Sequence, residues 1–356
     1  MDFTPTQGQR AAAALAAEIF GDRSTPQRLA GLGGAVDAEL WKTLCAAGLP
    51  GAVAETGLLG LVLMLEEQGR TTAQVPFAAS CAYGLLAVEA HGSAEQRARL
   101  LPGLEDGTEV ATGALAGASG RPRVVAAGPP DAARLTGTVP VVPWLCGATL
   151  LLVPDAGRRL WLVRADAPGV GVEPVATTAP WSAGRLTLRD APAEPLGGAA
   201  AAPPPAAHGE VLGTARTAFA GLQAGVCAGA LARTVAHTTT REQFGRPLAA
   251  NQGVQLRAAE AYMDTEAIRV TAYEAAWRRD AGLDAAAHAL TAAWWASEAG
   301  KRVVHTGQHL HGGLGADLDH PVHRHFLWGR QLDAYLGAGA ELLEELGALL
   351  TKEPQG

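Results

Sequence analysis

Two short segments in the last third of the 356-residue chain carry residue types able to hold a nucleotide. Arg241-Glu242-Gln243-Phe244-Gly245-Arg246-Pro247-Leu248, with Asn251-Gln252 beyond it, sets a cation, an aromatic ring and two amides at an expected helix-to-loop junction. Such a set suits a dinucleotide: a guanidinium pairs with pyrophosphate oxygens, an aromatic face stacks on adenine, and amides meet polar base edges. An Arg/Gln-rich helix end that is only solvated surface has the same composition, so both readings stand on these residues alone. The second segment, Gln308-His309-Leu310-His311-Gly312-Gly313-Leu314-Gly315, ends a helical pattern in a glycine-rich turn. There, backbone N–H groups can approach a phosphate closely. A plain glycine C-cap is the alternative.

His305, His309, His311, His320, His323 and His325 crowd the same region, with His305 and His309 four apart on one helical face. No carboxylate or cysteine arrangement completes a recognisable metal site, and the glycines interrupt the run, so no metal is expected. Other signatures are missing: there is no G-x-G-x-x-G after a strand and no G-x-x-x-x-G-K-[ST]. Gly117-Ala118-Ser119-Gly120 is one residue short of a G-x-S-x-G elbow, and a β-domain turn explains it equally well.

The elements that must position these residues fall into three regions. Up to about residue 110 the pattern is helical: Gln9–Phe20, Ala38–Ala47 with Trp41 and Leu44 on one face, Leu58–Gln68 and Phe77–His91. Ser93 followed by Gln96 reads as a capping box opening a further helix that Pro102 and Gly103 close. Residues 111–208 change to short apolar runs. Thr136–Val142, Ala148–Val153, Arg159–Val163 and Arg185–Leu188 are expected strands of a small antiparallel unit, with Pro154-Asp155-Ala156-Gly157 as a hairpin turn. The Pro-rich tract Gly197–Ala207 reads as a surface linker. From residue 209 onward, Ala215–Arg241, Val254–Asp280, Asp284–Gly307 and Gln331–Leu350 predict a bundle of four long helices. The fold class is therefore α+β.

Composition bounds the function. Hydrophobic residues are 48% and charged residues 18%, which excludes a disordered chain, and a length of 356 implies more than one packed unit. A formal charge of -7 without any Lys/Arg-dense stretch argues against nucleic-acid or anionic-membrane partners. Cys45, Cys81, Cys146 and Cys227 are widely spaced in apolar settings and read as reduced core residues of a cytoplasmic protein. The longest charge-free run, Leu135–Pro154, is broken by Pro140 and Pro143 and reads as strands, not a membrane span.

The R-x-Q-F-G-R-P-L segment with Gln252 beyond it, the H-G-G-L-G loop and the order helical domain, β domain, helical bundle resemble the acyl-CoA dehydrogenases over essentially the whole chain. That resemblance implies FAD between a β domain and a bundle, its adenosine-pyrophosphate half completed by a neighbouring subunit. It assigns Arg241, Gln243 and Phe244 to pyrophosphate and adenine, Asn251 and Gln252 to the same loop, and Gly312, Gly313 and Gly315 to the adjacent subunit's FAD. His309 takes the place of a family glutamine. The implied reaction is α,β-desaturation of an acyl-CoA: a glutamate removes the α-proton while the β-hydrogen leaves as hydride to the flavin.

At the family's glutamate position, counted forward from the glycine loop through Tyr335-Leu336-Gly337-Ala338, stands Leu336, and the family's other base location falls around Ala215 and Arg216. No catalytic residue is therefore assigned; Asp333, Glu341, Glu344 and Glu345 are nearby, the last two on an expected solvated face. In the β domain, Leu115-Ala116-Gly117-Ala118-Ser119-Gly120 and Val141-Val142-Pro143-Trp144 depart from the family's flavin-facing turn and strand. Resemblance of His311–Leu336 to short subunits of bacterial steroid side-chain acyl-CoA dehydrogenases implies a base-less subunit paired with a catalytic one in an α2β2 heterotetramer. An electron-transfer flavoprotein or similar acceptor is implied as a further partner. A homotetramer with a displaced base and a flavin-free scaffold are the alternatives.

Overall fold

The computed structural model describes residues 2–115, 123–198 and 206–351. Seven helices come first: α1 (Gln7–Arg23), α2 (Pro26–Leu32), α3 (Ala38–Ala46), α4 (Leu49–Thr71), α5 (Phe77–Ala79), α6 (Leu86–His91) and α7 (Ala94–Asp106), with a π-helical stretch Ser80–Leu85 between α5 and α6. Eight strands follow: β1 (Ala111–Gly113), β2 (Val124–Ala127), β3 (Arg134–Val142), β4 (Leu150–Pro154), β5 (Leu160–Arg164), β6 (Val170–Pro174), β7 (Gly184–Pro192) and β8 (Glu194–Pro195). Then come α8 (Ala206–Thr240), the strand pair β9 (Glu242–Gln243) and β10 (Arg246–Pro247), α9 (Gln252–Asp280), α10 (Ala286–His311), α11 (Val322–Leu332) and α12 (Gly339–Leu350). Contacts group the chain into two units, one from residues up to 31, 62–73 and 216 onward, the other from 32–61 and 74–215.

In the second unit the expected capping box is present, and Gln96 goes further, donating to Pro195 O at 2.9 Å and accepting from Gly197 N at 2.8 Å. Pro102 does not close that helix. It sits inside α7, which runs on to Gly107, a left-handed residue (φ 77°) whose added Cβ would lie 2.1 Å from Cys45 Sγ. The strands form two four-stranded sheets, β1-β4-β5-β8 and β2-β3-β7-β6. Leu135, Leu151, Val153, Trp161, Leu186 and Leu188 share one core cluster. The expected hairpin joins β4 to β5, but the unit is not wholly antiparallel, because β1 pairs parallel with β4. Strands β1, β2, β6 and β8 escaped the sequence pattern; β6, Val-Gly-Val-Glu-Pro, shows no buried alternation to read.

The first unit is organised by close helix approach. Gly221, Gly225 and Gly229 recur every fourth residue on one face of α8, and α4 lies against them. A Cβ on Gly225 would fall 2.0 Å from Glu66 O, and one on Gly229 would fall 2.5 Å from Arg70 O, so the two backbones touch. Gly225→Ala is expected to cost about 2–3 kcal/mol, since neither backbone can give way; a melting-point shift measures it, and an unchanged melting point would refute the contact. Glu66, buried on α4, accepts from Arg269 Nε of α9 at 2.9 Å. The amide of Gln223 donates to Ala296 O and Gly329 O, both at 3.2 Å, tying α8 to α10 and α11.

The fourth long helix expected over Gln331–Leu350 is two helices. Residues 333–338 interrupt it, and Gly337 takes a φ of 124° that a side-chain-bearing residue resists. Of the cysteines, Cys81 and Cys227 are buried as expected, whereas Cys45 is half-buried and Cys146 is exposed beside β3; all four are free thiols. Helices α4 and α8 are long and apolar enough to cross a membrane, yet 61% and 78% of their apolar windows are buried within the protein, as core helices are.

Candidate functional site

Helix α8 delivers the first segment. Arg241 follows it directly, its N–H bonded to His237 O at 2.8 Å, and its carbonyl accepts from Leu248 N at 2.9 Å, closing a loop around the β9–β10 hairpin. At the hairpin tip Phe244 and Gly245 both have positive φ, 52° and 75°, the pair of left-handed residues that a two-residue type I′ turn requires. The consequence is a phenyl ring standing fully in solvent, 101% exposed, with Arg241 and Gln243 also exposed beside it in sequence. Asn251 is committed locally: it is the N-cap of α9, its side-chain oxygen accepting from Gly253 N at 2.9 Å. Gln252 opens α9 with its side chain exposed.

The glycine loop forms where α10 ends. Gly312 turns the chain with φ 61° and ψ -136°, and Gly312–Ala316 continues as a 3₁₀ turn. Gly312 and Gly313 face open space, whereas a Cβ on Gly315 would lie 2.3 Å from Gln308 O. Gly315 is thus fixed by packing, and Gly312 and Gly313 leave backbone accessible to a ligand.

A histidine stack joins the two segments. His237, one turn before Arg241, lies parallel to His311 with ring centroids 4.5 Å apart, and His311 packs on His320 at 5.1 Å. His311 is buried, with Nδ1 2.7 Å from Gly307 O and Nε2 without a partner. Burial, then the charges of His237, His320 and Arg233, hold its pKa below the usual histidine range, against the pull of the Gly307 bond. His237 is lowered too, by burial first and then by His320 and Arg241. Among the described residues no three His, Cys, Asp or Glu are placed to hold a metal ion. His309 is not in the stack; it lines a cleft of about 600 Å³ with Arg257, Glu260, Arg302 and His305. The sequence pattern placed His320 in the histidine-rich run, read as a loop and subunit-interface feature, and did not single out His237, though it stands four residues before Arg241.

Leu336, buried between α11 and α12, meets Arg216 of α8. The Arg216 guanidinium, also buried, donates to Leu336 O at 3.2 Å and to both carboxylate oxygens of Glu345 at 3.0 and 2.7 Å. The two positions singled out for a base, 120 residues apart, therefore touch. Glu345 is not on a solvated face as expected but faces Arg216, because α12 packs back onto the bundle. Of the other carboxylates, Asp333 accepts from Ser297 Oγ and pairs with Arg330 at 2.9 Å, Glu341 receives Ala338 N, and Glu344 is exposed.

Family models for the acyl-CoA dehydrogenase N-terminal domain match residues 6–108, and for its C-terminal domain residues 206–348. Acyl-CoA dehydrogenase FadE27 of Mycobacterium tuberculosis is 36% identical across 99% of this chain and all of that protein. The chain belongs to the acyl-CoA dehydrogenase family. Among solved structures, the Tcur3481-Tcur3483 steroid ACAD G363A variant is similar at 42% identity and TM-score 0.90, covering 97% of this chain and 98% of that one. The ChsE4-ChsE5 complex from Mycobacterium tuberculosis gives 34% identity and TM-score 0.91 over 99% and 100% of the two chains.

The turn that follows β3 is satisfied within the chain. Pro143 has no N–H, and its carbonyl is already bonded by the Thr112 hydroxyl. Trp144, at φ 59°, donates its N–H to Trp181 O at 2.8 Å and stacks on Trp181 with centroids 6.3 Å apart. Of the segment Leu115–Gly120, only Leu115 lies within the described residues.

Proposed function

We propose that this chain is the base-less subunit of a heteromeric, FAD-dependent acyl-CoA dehydrogenase, an α2β2 assembly in which a catalytic partner supplies the glutamate. The observation that carries the reading is an asymmetry. Arg241, Gln243, Phe244, Gly312 and Gly313 present exposed groups and open backbone suited to adenosine and pyrophosphate. The base position, in contrast, holds Leu336 with a guanidinium against its carbonyl. The residues fit the nucleotide half of FAD: an unpacked aromatic face, a cation at a helix end and a glycine turn with open space for a phosphate to approach the backbone. Of the two flavin-facing segments compared in sequence, the described one is satisfied internally, at Pro143 and Trp144.

When bound, FAD supplies the hydride acceptor for α,β-desaturation of an acyl-CoA. In this reading the chain's own residues bind and orient: Arg241 neutralises pyrophosphate charge, Phe244 stacks on adenine, and Gln243 and Gln252 meet polar edges. Asn251 shapes the loop by capping α9, Gly315 shapes the turn, and His309, exposed in the last turn of α10, takes the family glutamine's place beside the glycine loop. A steroid side-chain CoA ester is the substrate we favour, since a similar solved structure is described as a steroid acyl-CoA dehydrogenase. The electron acceptor would be an electron-transfer flavoprotein or a protein like it.

Arg241→Ala tests the cofactor role directly. In the co-expressed two-chain complex it is expected to lower flavin per complex at least about tenfold at limiting FAD, the loss of a charge-assisted pair of 1.4 kcal/mol or more. Flavin absorbance of the purified complex reads it. Unchanged flavin content would leave a scaffold function as the better account.

A further inference from the structure

We propose that the stack of His237, His311 and His320 is a positioning device for the nucleotide: uncharged, it holds the Arg241 segment and the Gly312 turn together as one clamp, and proton uptake drives them apart and releases the nucleotide. The inference rests on the cofactor reading and goes a step beyond it, from which residues meet the nucleotide to what keeps them in register.

The two segments are far apart in sequence, and the rings are where they meet. His237 lies in the last turn of α8, four residues before Arg241, and His311 is the last residue of α10, directly before Gly312. Their rings stack 4.5 Å apart with planes 20° from parallel, and His320, from the loop beyond the glycine turn, packs on His311 at 5.1 Å. His311 is 5% exposed, and its proton is on Nδ1, because Gly307 O, 2.7 Å away, can only accept. Nε2 is left buried and bare. A proton taken up there makes a buried N–H without an acceptor and a cation against two imidazoles. Among the described residues no carboxylate offsets it. The charges acting on His311 are those of His237, His320 and Arg233, and on His237 those of His320 and Arg241. On the loop, Asp317 and Asp319 are exposed, and Asp317 Oδ1 is taken by Asp319 N. From α11, His323 bonds to His320 O through Nδ1 at 2.7 Å, while Arg324 and His325 reach Thr72 and Arg70 at the end of α4. Burial first, then these cations, hold His237 and His311 below the usual histidine range, so both rings are neutral at pH 7.5 while the stack is closed. Opening the stack returns them toward ordinary histidines, and acid therefore favours the open form.

The test follows FAD dissociation from the co-expressed two-chain complex, read as free-flavin fluorescence on dilution, at pH 7.5, 6.5 and 5.5. Excluding one proton from the closed stack weakens binding by up to about tenfold per pH unit below the ordinary histidine range. The dissociation constant is thus expected to rise about three- to tenfold between pH 7.5 and 5.5. His237→Phe keeps a stacking face that cannot charge, so it is expected to hold FAD within about twofold of the natural chain at pH 7.5 and to lose most of the acid response. His237→Ala removes the face and is expected to weaken FAD about fivefold already at pH 7.5. Tighter FAD in acid, as an added cation beside pyrophosphate gives, overturns the proposal, and so does an acid response that H237F retains. His325→Gln controls for acid loosening of the core: a response abolished by H325Q but not by H237F also overturns it. A second measurement needs neither flavin nor a variant. In the unliganded complex, hydrogen-exchange protection of residues 241–247 and 312–316 is expected to fall together between pH 7.5 and 5.5, and a fall in one segment alone, or in neither, refutes the coupling. Flavin content indifferent to Arg241→Ala is the separate failure of the cofactor reading, and the exchange result still decides whether the stack links the two segments.

Discussion

Purified without a partner and supplied with FAD, acyl-CoA and an electron acceptor, the chain is expected to turn over about 10²- to 10⁴-fold more slowly than the two-chain complex. That range is what a positioned general base contributes to a proton transfer, and Leu336 has no lone pair to offer. No nearby carboxylate is poised to substitute. Asp333 is occupied by Ser297 and Arg330, Glu341 caps α12, and Glu345 is held by Arg216. Glu344 points to solvent. The measurement is initial rate per flavin for the single chain and the complex under identical conditions. Equal rates would replace the heteromeric reading by a self-sufficient enzyme with its base elsewhere.

The second large effect is on stability in acid. His325 is fully buried on α11, its Nε2 donating to Arg70 O at 2.9 Å, and packed against Gly229 of α8. Burial drives its pKa down to about 4, with Arg233 and Arg324 pushing the same way and the Arg70 carbonyl only partly opposing. Above pH 6.5 the ring is neutral in both folded and unfolded chains, and nothing is gained or lost. Between about pH 6.5 and 4 the unfolded chain takes up a proton that the folded one refuses, so stability falls as pH falls. For this one residue the loss approaches about 3 kcal/mol by pH 4. His311 and His237, both lowered by burial first, act in the same direction. Denaturant unfolding at pH 7.5, 6.5, 5.5 and 4.5 should show the decline, and His325→Gln should flatten part of it. A stability unchanged from pH 7.5 to 4.5 would mean that the imidazole is protonated in the fold.

Much of this was legible beforehand where the signal is local. Ser93 and Gln96 announced their helix because a capping box needs only four residues, and the long helices of the bundle followed from alanine-rich periodicity. The exposed aromatic at 244 was visible as a residue type, but its reason, a two-residue hairpin with both central residues left-handed, was not, since Phe rarely adopts that conformation. What escaped was set by distant partners. The break at 333–338 depends on Gly337, which any helical pattern tolerates on paper. The Arg216–Glu345 pair spans 129 residues, and Glu345 alone looks like any carboxylate on an exposed helix. Likewise Cys146 has apolar neighbours in sequence and yet sits at the surface.

Helix α8 also acts as a ruler. From Arg216 to Thr240 it is unbroken, and at 1.5 Å per residue those 24 steps set about 36 Å between the base position and the loop that starts at Arg241. The glycines at 221, 225 and 229 lock it against α4 backbone to backbone, so it cannot slide or rotate to shorten that span. A nucleotide gripped at the Arg241 end is thereby kept remote from Leu336 of the same chain. On the proposed reading, every flavin this subunit touches does its chemistry beside someone else's glutamate.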